Sequence, residues 1–443
     1  MHRKKSVFGI QAAATIIGMI VLGTLLLFWA YLLPTGRMKS HIAESDETFN
    51  YEGIYPMIIH GYKCTQLDNY TDGLMYTTAI YPGSGDTLRD MLENPRIEYD
   101  DANMVQGMND YANDVKERES HQYEITYGRY WHGYLVVLKT LLLFFNVSEI
   151  RMINLFLQGT LFCILLYLVR KRMEAVYQIP LLLMEAVLNP IVLPLSLQYS
   201  WVYYVGILSA MVFLTKEKWH AESIFLLFLI TGMVTSYVDL LTYPLITLGL
   251  PMMVFLLRWQ ENDGTWRKKL LYFMGNSMFW GIGYALMWGS KWILNSIFTN
   301  GNIFENVRTE IEIRLSNTGE AQETFTAGMV LQRNWDVINQ FPFRLVLVVF
   351  AVYVVLRCIV HVRQGRQTIK KVGKINCSQL WNTLPWLGLS VLPLAWIAVM
   401  GNHSWVHYWF TYRELSVTVL GVSCFLLQLL PNTKRCAMMD RDS

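Results

Sequence analysis

Ten stretches of roughly 20 mostly apolar residues recur along the chain, which is long enough for each to cross a bilayer as a helix. They lie near positions 8–33, 150–170, 176–197, 199–215, 221–237, 242–258, 270–289, 342–360, 384–400 and 413–430. A backbone in lipid has to satisfy its own hydrogen bonds, so such stretches fold as spanning α-helices. Basic clusters occupy alternate gaps: Arg3-Lys4-Lys5, Arg170-Lys171-Arg172, Lys216 with Lys218, Arg267-Lys268-Lys269, Arg363 through Lys374, and Lys434-Arg435. All six fall on one side when both termini are cytoplasmic, the side that positive loops prefer. The chain therefore reads as an all-α polytopic membrane protein with about ten transmembrane helices.

Charge separates the parts of the chain. Only 16% of the 443 residues are charged and 53% are hydrophobic, against about 25% charged in soluble domains. This composition argues against a soluble enzyme, a disordered scaffold and a nucleic-acid binder. From Thr35 to Tyr134 there are 17 acidic and 8 basic residues, a net of −9 in a chain whose net is +3. Residues 34–149 form a large first external loop in this reading, after a tail and first helix at 1–33. Transmembrane helices 2–7 follow at 150–289, a second external loop at 290–341, helices 8–10 at 342–430 and a cytoplasmic tail at 431–443. The first apolar run exceeds a signal-peptide core of about 7–15 residues, so it is expected to anchor the chain. Of six cysteines only Cys64 is expected outside, and no Cys-x-x-Cys spacing appears. Residues 130–145 read as an interfacial helix with its Trp and Tyr in the headgroup zone. Asn146 and Ser148 offer the cap of the next helix, and 322–334 reads as a second surface-lying helix.

Three places carry candidate chemistry. Asp68 and Asp72 are four residues apart in Leu67-Asp68-Asn69-Tyr70-Thr71-Asp72-Gly73, one helical turn on a shared face. Two such carboxylates suit general-base work, one taking a proton and the other tuning it; the structural alternative is an Asp68 N-cap and a solvated Asp72. Arg413, at the mouth of the last span, needs an anionic partner, and a guanidinium grips phosphate by two parallel bonds. His403 and His407 are placed to donate to phosphate oxygens, and the alternative is a contact from Arg413 to Glu414 or to a headgroup. Asp239, in the turn between the fifth and sixth spans, is either a helix cap or a member of the site. Arg129 offers a second phosphate contact, the alternative for it as for His60 and His132 being interfacial anchoring. Glu185 and Asn189, inside an apolar span, call for internal partners. Asn69-Tyr70-Thr71, Asn146-Val147-Ser148 and Asn402-His403-Ser404 match the glycosylation sequon.

The chain resembles membrane glycosyltransferases of the GT-C superfamily. A first external loop of about a hundred residues follows the first span, and in it Asp72, Tyr76 and Ala79 resemble the family's acidic motif. Gly73 stands where the family carries a second acid. The run from Tyr127 through Tyr134, then Leu141 to Arg151, is similar to the family's aromatic interfacial helix, its break and the arginine that opens the next span. The resemblance implies an inverting glycosyltransferase in the plasma (inner) membrane, acting in cell-envelope polysaccharide biosynthesis on the external face. A polyprenyl-phosphate-linked sugar is the implied donor, and a glycan, lipid or protein the acceptor. Arg413 and Arg129 would hold the lipid phosphate, Asp68 or Asp72 would be the base, and Tyr76 and Asp239 would line the site. No cofactor or dedicated metal site is implied, although the external carboxylates offer ligands for Mg²⁺ or Mn²⁺. The rival readings are a polysaccharide polymerase or ligase and a lipid-linked glycan flippase.

Overall fold

The computed structural model describes residues 2–216, 218–259, 265–299, 301, 303–319, 321–368 and 380–429. The C-terminal tail 431–443 and the part of the basic run from 369 to 374 lie outside the described residues, as do Cys377 and Cys436. The described residues are predominantly helical, with one two-stranded ribbon among them.

Helix α1 spans His2–Tyr31. The segment that follows carries α2 (Gly36–Ala43), α3 (Asp46–Glu52), α4 (Asn69–Ala79), α5 (Thr87–Glu93), β1 (Arg96–Tyr99), α6 (Met104–Ala112), β2 (Gln122–Ile125) and α7 (Leu135–Leu142). Strands β1 and β2 are antiparallel, with Arg96 opposite Ile125 and Tyr99 opposite Gln122. Then come α8 (Val147–Arg172), α9 (Gln178–Leu188), α10 (Leu197–Thr215), α11 (Ala221–Val238), α12 (Ile246–Arg258), α13 (Trp266–Phe298), α14 (Ile303–Leu315), α15 (Ala327–Ile338) and α16 (Phe341–Thr368). The last long helices are Leu384–Val399 and Leu415–Leu429.

Among the described residues, six helices are long and apolar enough to cross a membrane: Val7–Tyr31, Val147–Arg172, Leu197–Thr215, Ala221–Val238, Phe341–Val360 and Tyr408–Leu429. They match six of the ten expected spans. The other four expectations fall on α9, α12, α13 and Leu384–Val399. Of these, α9, α12 and Leu384–Val399 have 11, 13 and 16 residues. Helix α9 stops where Asn189 turns left-handed (φ 65°) and Pro190 follows. Apolar residues stand exposed on α1 (Ile10, Ile17), α8 (Phe156) and α16 (Val349), each more than half accessible. Rows of that kind are tolerated where the surroundings are themselves apolar.

Segment 34–149 sits against one end of the helix bundle. That end collects the C-termini of α1, α11 and α13 and the N-termini of α8 and α10. Val147 at the start of α8 donates its N–H to Ser45 Oγ (3.2 Å), and Gly133 donates to the Tyr237 carbonyl (2.7 Å). The buried Lys291 stitches the same joint by donating to the Met91 carbonyl and Asn94 Oδ1 (2.8 Å each), while the buried Lys139 of α7 braces the segment internally by donating to the Ala79 carbonyl of α4 (2.7 Å). The Arg170-Lys171-Arg172 cluster, Lys216 and Arg267-Lys268-Lys269 lie at the opposite helix ends.

The aromatic run before α7 differs from expectation. The helix covers only Leu135–Leu142. Tyr130, Trp131 and Tyr134 are buried instead of lying in a headgroup zone. Trp131 donates its indole N–H to the Met287 carbonyl (2.6 Å), and Tyr130 stacks on Trp288. An indole whose polar atom finds a carbonyl inside has no need of the interface. Helix α15 likewise begins and ends a few residues later than expected, because Thr326 caps it. The start of α8 is as expected: Asn146 accepts from Glu149 N–H while the Glu149 carboxylate receives Asn146 N–H, a capping box.

Helices α11 and α13 cross through two glycines. A Cβ on Gly232 would stand 2.0 Å from the Trp280 carbonyl oxygen, and one on Gly283 would stand 2.1 Å from that of Leu229. Small residues let helix backbones approach this closely. Gly232→Ala and Gly283→Ala should therefore each destabilise by about 1–3 kcal/mol, the usual range for overpacking, even though alanine is the better helix former. Thermal unfolding in detergent measures this, and a melting point equal to or above that of the parent would contradict it.

Candidate functional site

Asp68 is the N-cap of α4, as one reading of the sequence allowed. Its Oδ1 accepts the Thr71 N–H (2.9 Å). Its Oδ2 accepts from Gln198 Nε2 (2.6 Å) and Trp409 Nε1 (3.4 Å), and its own N–H donates to Ser196 Oγ (3.1 Å). Burial pushes the carboxyl above the usual aspartate range, while the Thr71 and Gln198 bonds hold it down.

Asp72 is not the solvated residue of that reading. It is fully buried, and it caps a helix from another part of the chain. Its two oxygens accept the N–H groups of Leu197 (2.9 Å) and Gln198 (3.1 Å), the first residues of α10. Those donors have no partner within their own helix, and a negative charge there opposes the positive end of the macrodipole. Burial pushes Asp72 up to about 7, against the positive charge of Arg151 and the two cap bonds. Arg151, near the start of α8, bonds both Glu52 oxygens (2.8 and 3.0 Å) and Asn69 Oδ1 (3.0 Å). Both sequence-named acids thus spend their oxygens on structural bonds. Tyr76 is buried one turn further on, against the edge of Phe49, away from Arg413.

Arg413 is fully buried in the short turn Tyr412–Glu414. Its guanidinium lies 3.9 Å over the Tyr199 ring and 4.8 Å from that of Tyr412. Nε donates to the Leu188 carbonyl and Nη1 to that of Trp409 (3.2 Å each). Nη2 has no hydrogen-bond partner, and no carboxylate pairs with Arg413 among the described residues. The alternative of an Arg413–Glu414 pair is not what the structure shows. Glu414 turns instead to α12, where Oε1 accepts the Leu245 N–H (3.3 Å) and Oε2 is left without a partner.

Asp239 occupies the helix-end position that the sequence allowed. It ends α11, and its Oδ1 accepts the Thr242 N–H (2.9 Å) and hydroxyl (2.7 Å) in a tight turn. Its Oδ2 is buried without a partner. Burial pushes this carboxyl up to about 6, with the Thr242 bonds working against it. The turn that Asp239 closes leads through Tyr243 to Leu245, whose N–H meets Glu414. Tyr243 joins it to the arginine, donating its hydroxyl to the Tyr199 carbonyl.

The histidines have other duties. His403 meets Arg314 Nη1 at Nδ1 (2.6 Å) and the Leu241 carbonyl at Nε2 (2.8 Å), which fixes an Nε2–H tautomer and leaves no donor for a phosphate. Burial and the Arg314 charge hold it well below the usual histidine range. His407 stacks on Phe410 and lies edge-on to Trp409. Burial pushes it down to about 4, and Nδ1 is unpartnered. Arg129 faces Glu310 (3.3 Å) and Asn306 (3.4 Å) of α14, so a carboxylate already answers its charge. His132 bonds the Tyr134 hydroxyl and the Tyr127 carbonyl, His60 is exposed, and Glu185 accepts from the Tyr203 hydroxyl.

The result is one buried polar centre at the end of the bundle where segment 34–149 docks. Asp68, Trp409, His407, His403 and Arg314 form a continuous series of contacts across it. Arg413, Glu414 and Asp239 stand beside that series with one unused atom each. Sequence reasoning missed Glu414, treated only as a neighbour of Arg413, and it missed Gln198, Ser196 and Tyr199, which look like ordinary span residues. The one group of Asp, Glu, His or Cys side chains among the described residues close enough to share an ion is Asp100, Asp101 and His121. That group is exposed, and Arg118 binds Asp101 (2.6 Å). Comparison with known proteins returns no matching family model, no matching curated protein and no matching solved structure.

Replacing Asp72 by asparagine keeps one acceptor oxygen but turns an amide N–H₂ towards a backbone donor. Asp72→Asn should cost about 1–3 kcal/mol, the penalty for a buried group left unsatisfied. Asp86→Asn, at the exposed cap of α5, should cost less. Paired thermal melts compare the two, and equal losses would show that the α10 cap contributes little.

Proposed function

We propose that this protein is a membrane glycosyltransferase of the GT-C kind, moving a sugar from a polyprenyl-phosphate-linked donor to an acceptor hydroxyl. The observation that carries the reading is Arg413: a fully buried guanidinium with a free Nη2 and no carboxylate partner. A buried unpaired cation is costly, and an anion that completes its hydrogen bonds recovers that cost. A lipid phosphate suits it, because the arginine stands at the start of an apolar helix, Tyr408–Leu429, where a polyprenyl tail has lipid to lie in.

The basic helix ends belong to the cytoplasm by the positive-inside tendency, which puts segment 34–149 and the polar centre on the external face. The ten-span topology and cytoplasmic termini belong to this proposal. No nucleotide is needed there, since the leaving group is the lipid phosphate itself.

The base role moves from Asp68 and Asp72 to the pair with unused oxygens. In the single displacement, the acceptor oxygen bonds the anomeric carbon while the carbon–phosphate-oxygen bond breaks. The electron pair leaves on the phosphate, held by Arg413. The acceptor proton passes to Asp239 Oδ2 or Glu414 Oε2. Attack opposite the leaving group inverts the anomeric configuration. None of the unused atoms touches solvent, so donor entry requires the cover to move. The proposal assigns that movement to helix α14, which the Glu310–Arg129 and Arg314–His403 contacts tie down.

Arg413→Ala should weaken binding of a polyprenyl phosphate at least tenfold, read by native mass spectrometry of the detergent-solubilised protein. Affinity equal to that of the parent would return Arg413 to a structural role. Asp239→Asn should lower transfer at least a hundredfold with lipid binding intact. In the parent, transfer should rise with pH through about 6, because the carboxyl has to lose its proton before it can accept another. A profile flat from pH 5 to 8 would exclude Asp239 as the base.

A further inference from the structure

A cavity of about 350 Å³ opens on segment 34–149, between the β1–β2 ribbon, α6 and the start of α4. Four tyrosines line it: Tyr55, Tyr70, Tyr99 and Tyr123. Tyr55, Tyr70 and Tyr123 are each about two-fifths exposed (42%, 41% and 43%). Tyr55 and Tyr70 stack at 6.3 Å with a 27° interplanar angle. The polar groups are Glu98 and Asn103. Glu98 is held in place by Arg96 Nη2 (2.5 Å) and the Tyr123 hydroxyl (3.0 Å), so its orientation is fixed before any ligand arrives.

One lining residue touches the polar centre. Tyr55 lies edge-on to Trp409 at 5.4 Å, and the Trp409 indole donates to Asp68. The chemistry of the lining selects one ligand class. Aromatic faces accept the apolar C–H face of a pyranose ring, and a fixed carboxylate with an amide answers its hydroxyls. The segment's net charge of −9 opposes phosphates and other anions. The size is at the small end of ligand pockets, which fits one or two sugar units.

We propose that this tyrosine-lined cavity is a binding site for a neutral saccharide, the acceptor of the transfer. The acceptor role rests on the glycosyltransferase reading; the saccharide site itself does not.

The test uses the full-length protein in detergent and saturation-transfer difference NMR. The probes are glucose, galactose, mannose, N-acetylglucosamine and their common disaccharides. At least one should receive saturation, strongest at its ring C–H protons. Tyr70→Ala should weaken that binding at least tenfold and Glu98→Gln several-fold, each with a melting point near the parent's. Tyr123→Ala, at the exposed rim, serves if Tyr70→Ala does not fold. Binding that these variants abolish supports the site whether or not transfer is detected, and transfer is tested separately through Arg413 and Asp239. No saturation across the probes, or saturation indifferent to these variants, overturns the proposal.

Discussion

A carboxylate on one part of the chain closes the end of a helix on another, and much of the site follows from that bond. Asp72 accepts the first N–H groups of α10 from 125 residues away in sequence. With the α10 start fixed there, Gln198 reaches Asp68, Ser196 meets the Asp68 backbone, and Tyr199 lies under the Arg413 guanidinium. Such a cap satisfies donors that cannot be satisfied inside their own helix, and a buried acceptor ties segment 34–149 to the bundle more strictly than apolar contact alone. Arg151 reinforces the same place by joining Glu52 and Asn69 beside it.

The polar centre is built on economy of partners. Asp68, Asp72 and His403 are fully used, while Arg413, Glu414, Asp239 and His407 each keep one buried atom without a partner. Buried polar groups are ordinarily satisfied, and although unpartnered atoms also occur elsewhere, on Tyr76, Glu185 and Asn276 for example, this neighbourhood adds a buried guanidinium with no carboxylate beside it. The glycosyltransferase proposal accordingly looks for its base away from the acids with the most suggestive spacing, among acids that look incidental in the sequence.

Long-period features were legible without coordinates. The apolar stretches at 8–33, 150–170 and 342–360 each became long exposed helices, because length and apolarity alone decide that outcome. The Asn146 cap was also legible, since its partner Glu149 is three residues on. The buried state of Asp72 was not: its donors lie on α10, and no local pattern announces them. Nor was the fate of Tyr130 and Trp131, whose aromatic-rich run reads equally as interface belt or core until a carbonyl such as that of Met287 is found opposite the indole. Asp239 shows a third case, where one oxygen closes a turn and the other has no partner, so the turn does not exclude a further role.

The buried Lys291 has a consequence for how the molecule is put together. Its ammonium group is satisfied by Met91 and Asn94, which are made nearly 200 residues earlier. Both acceptors belong to α5 and the residue that ends it, so the end of α13 finds partners for its ammonium group only on a folded segment 34–149. The packing of a late helix is thereby coupled to the shape of an early segment, and damage to either is felt by both.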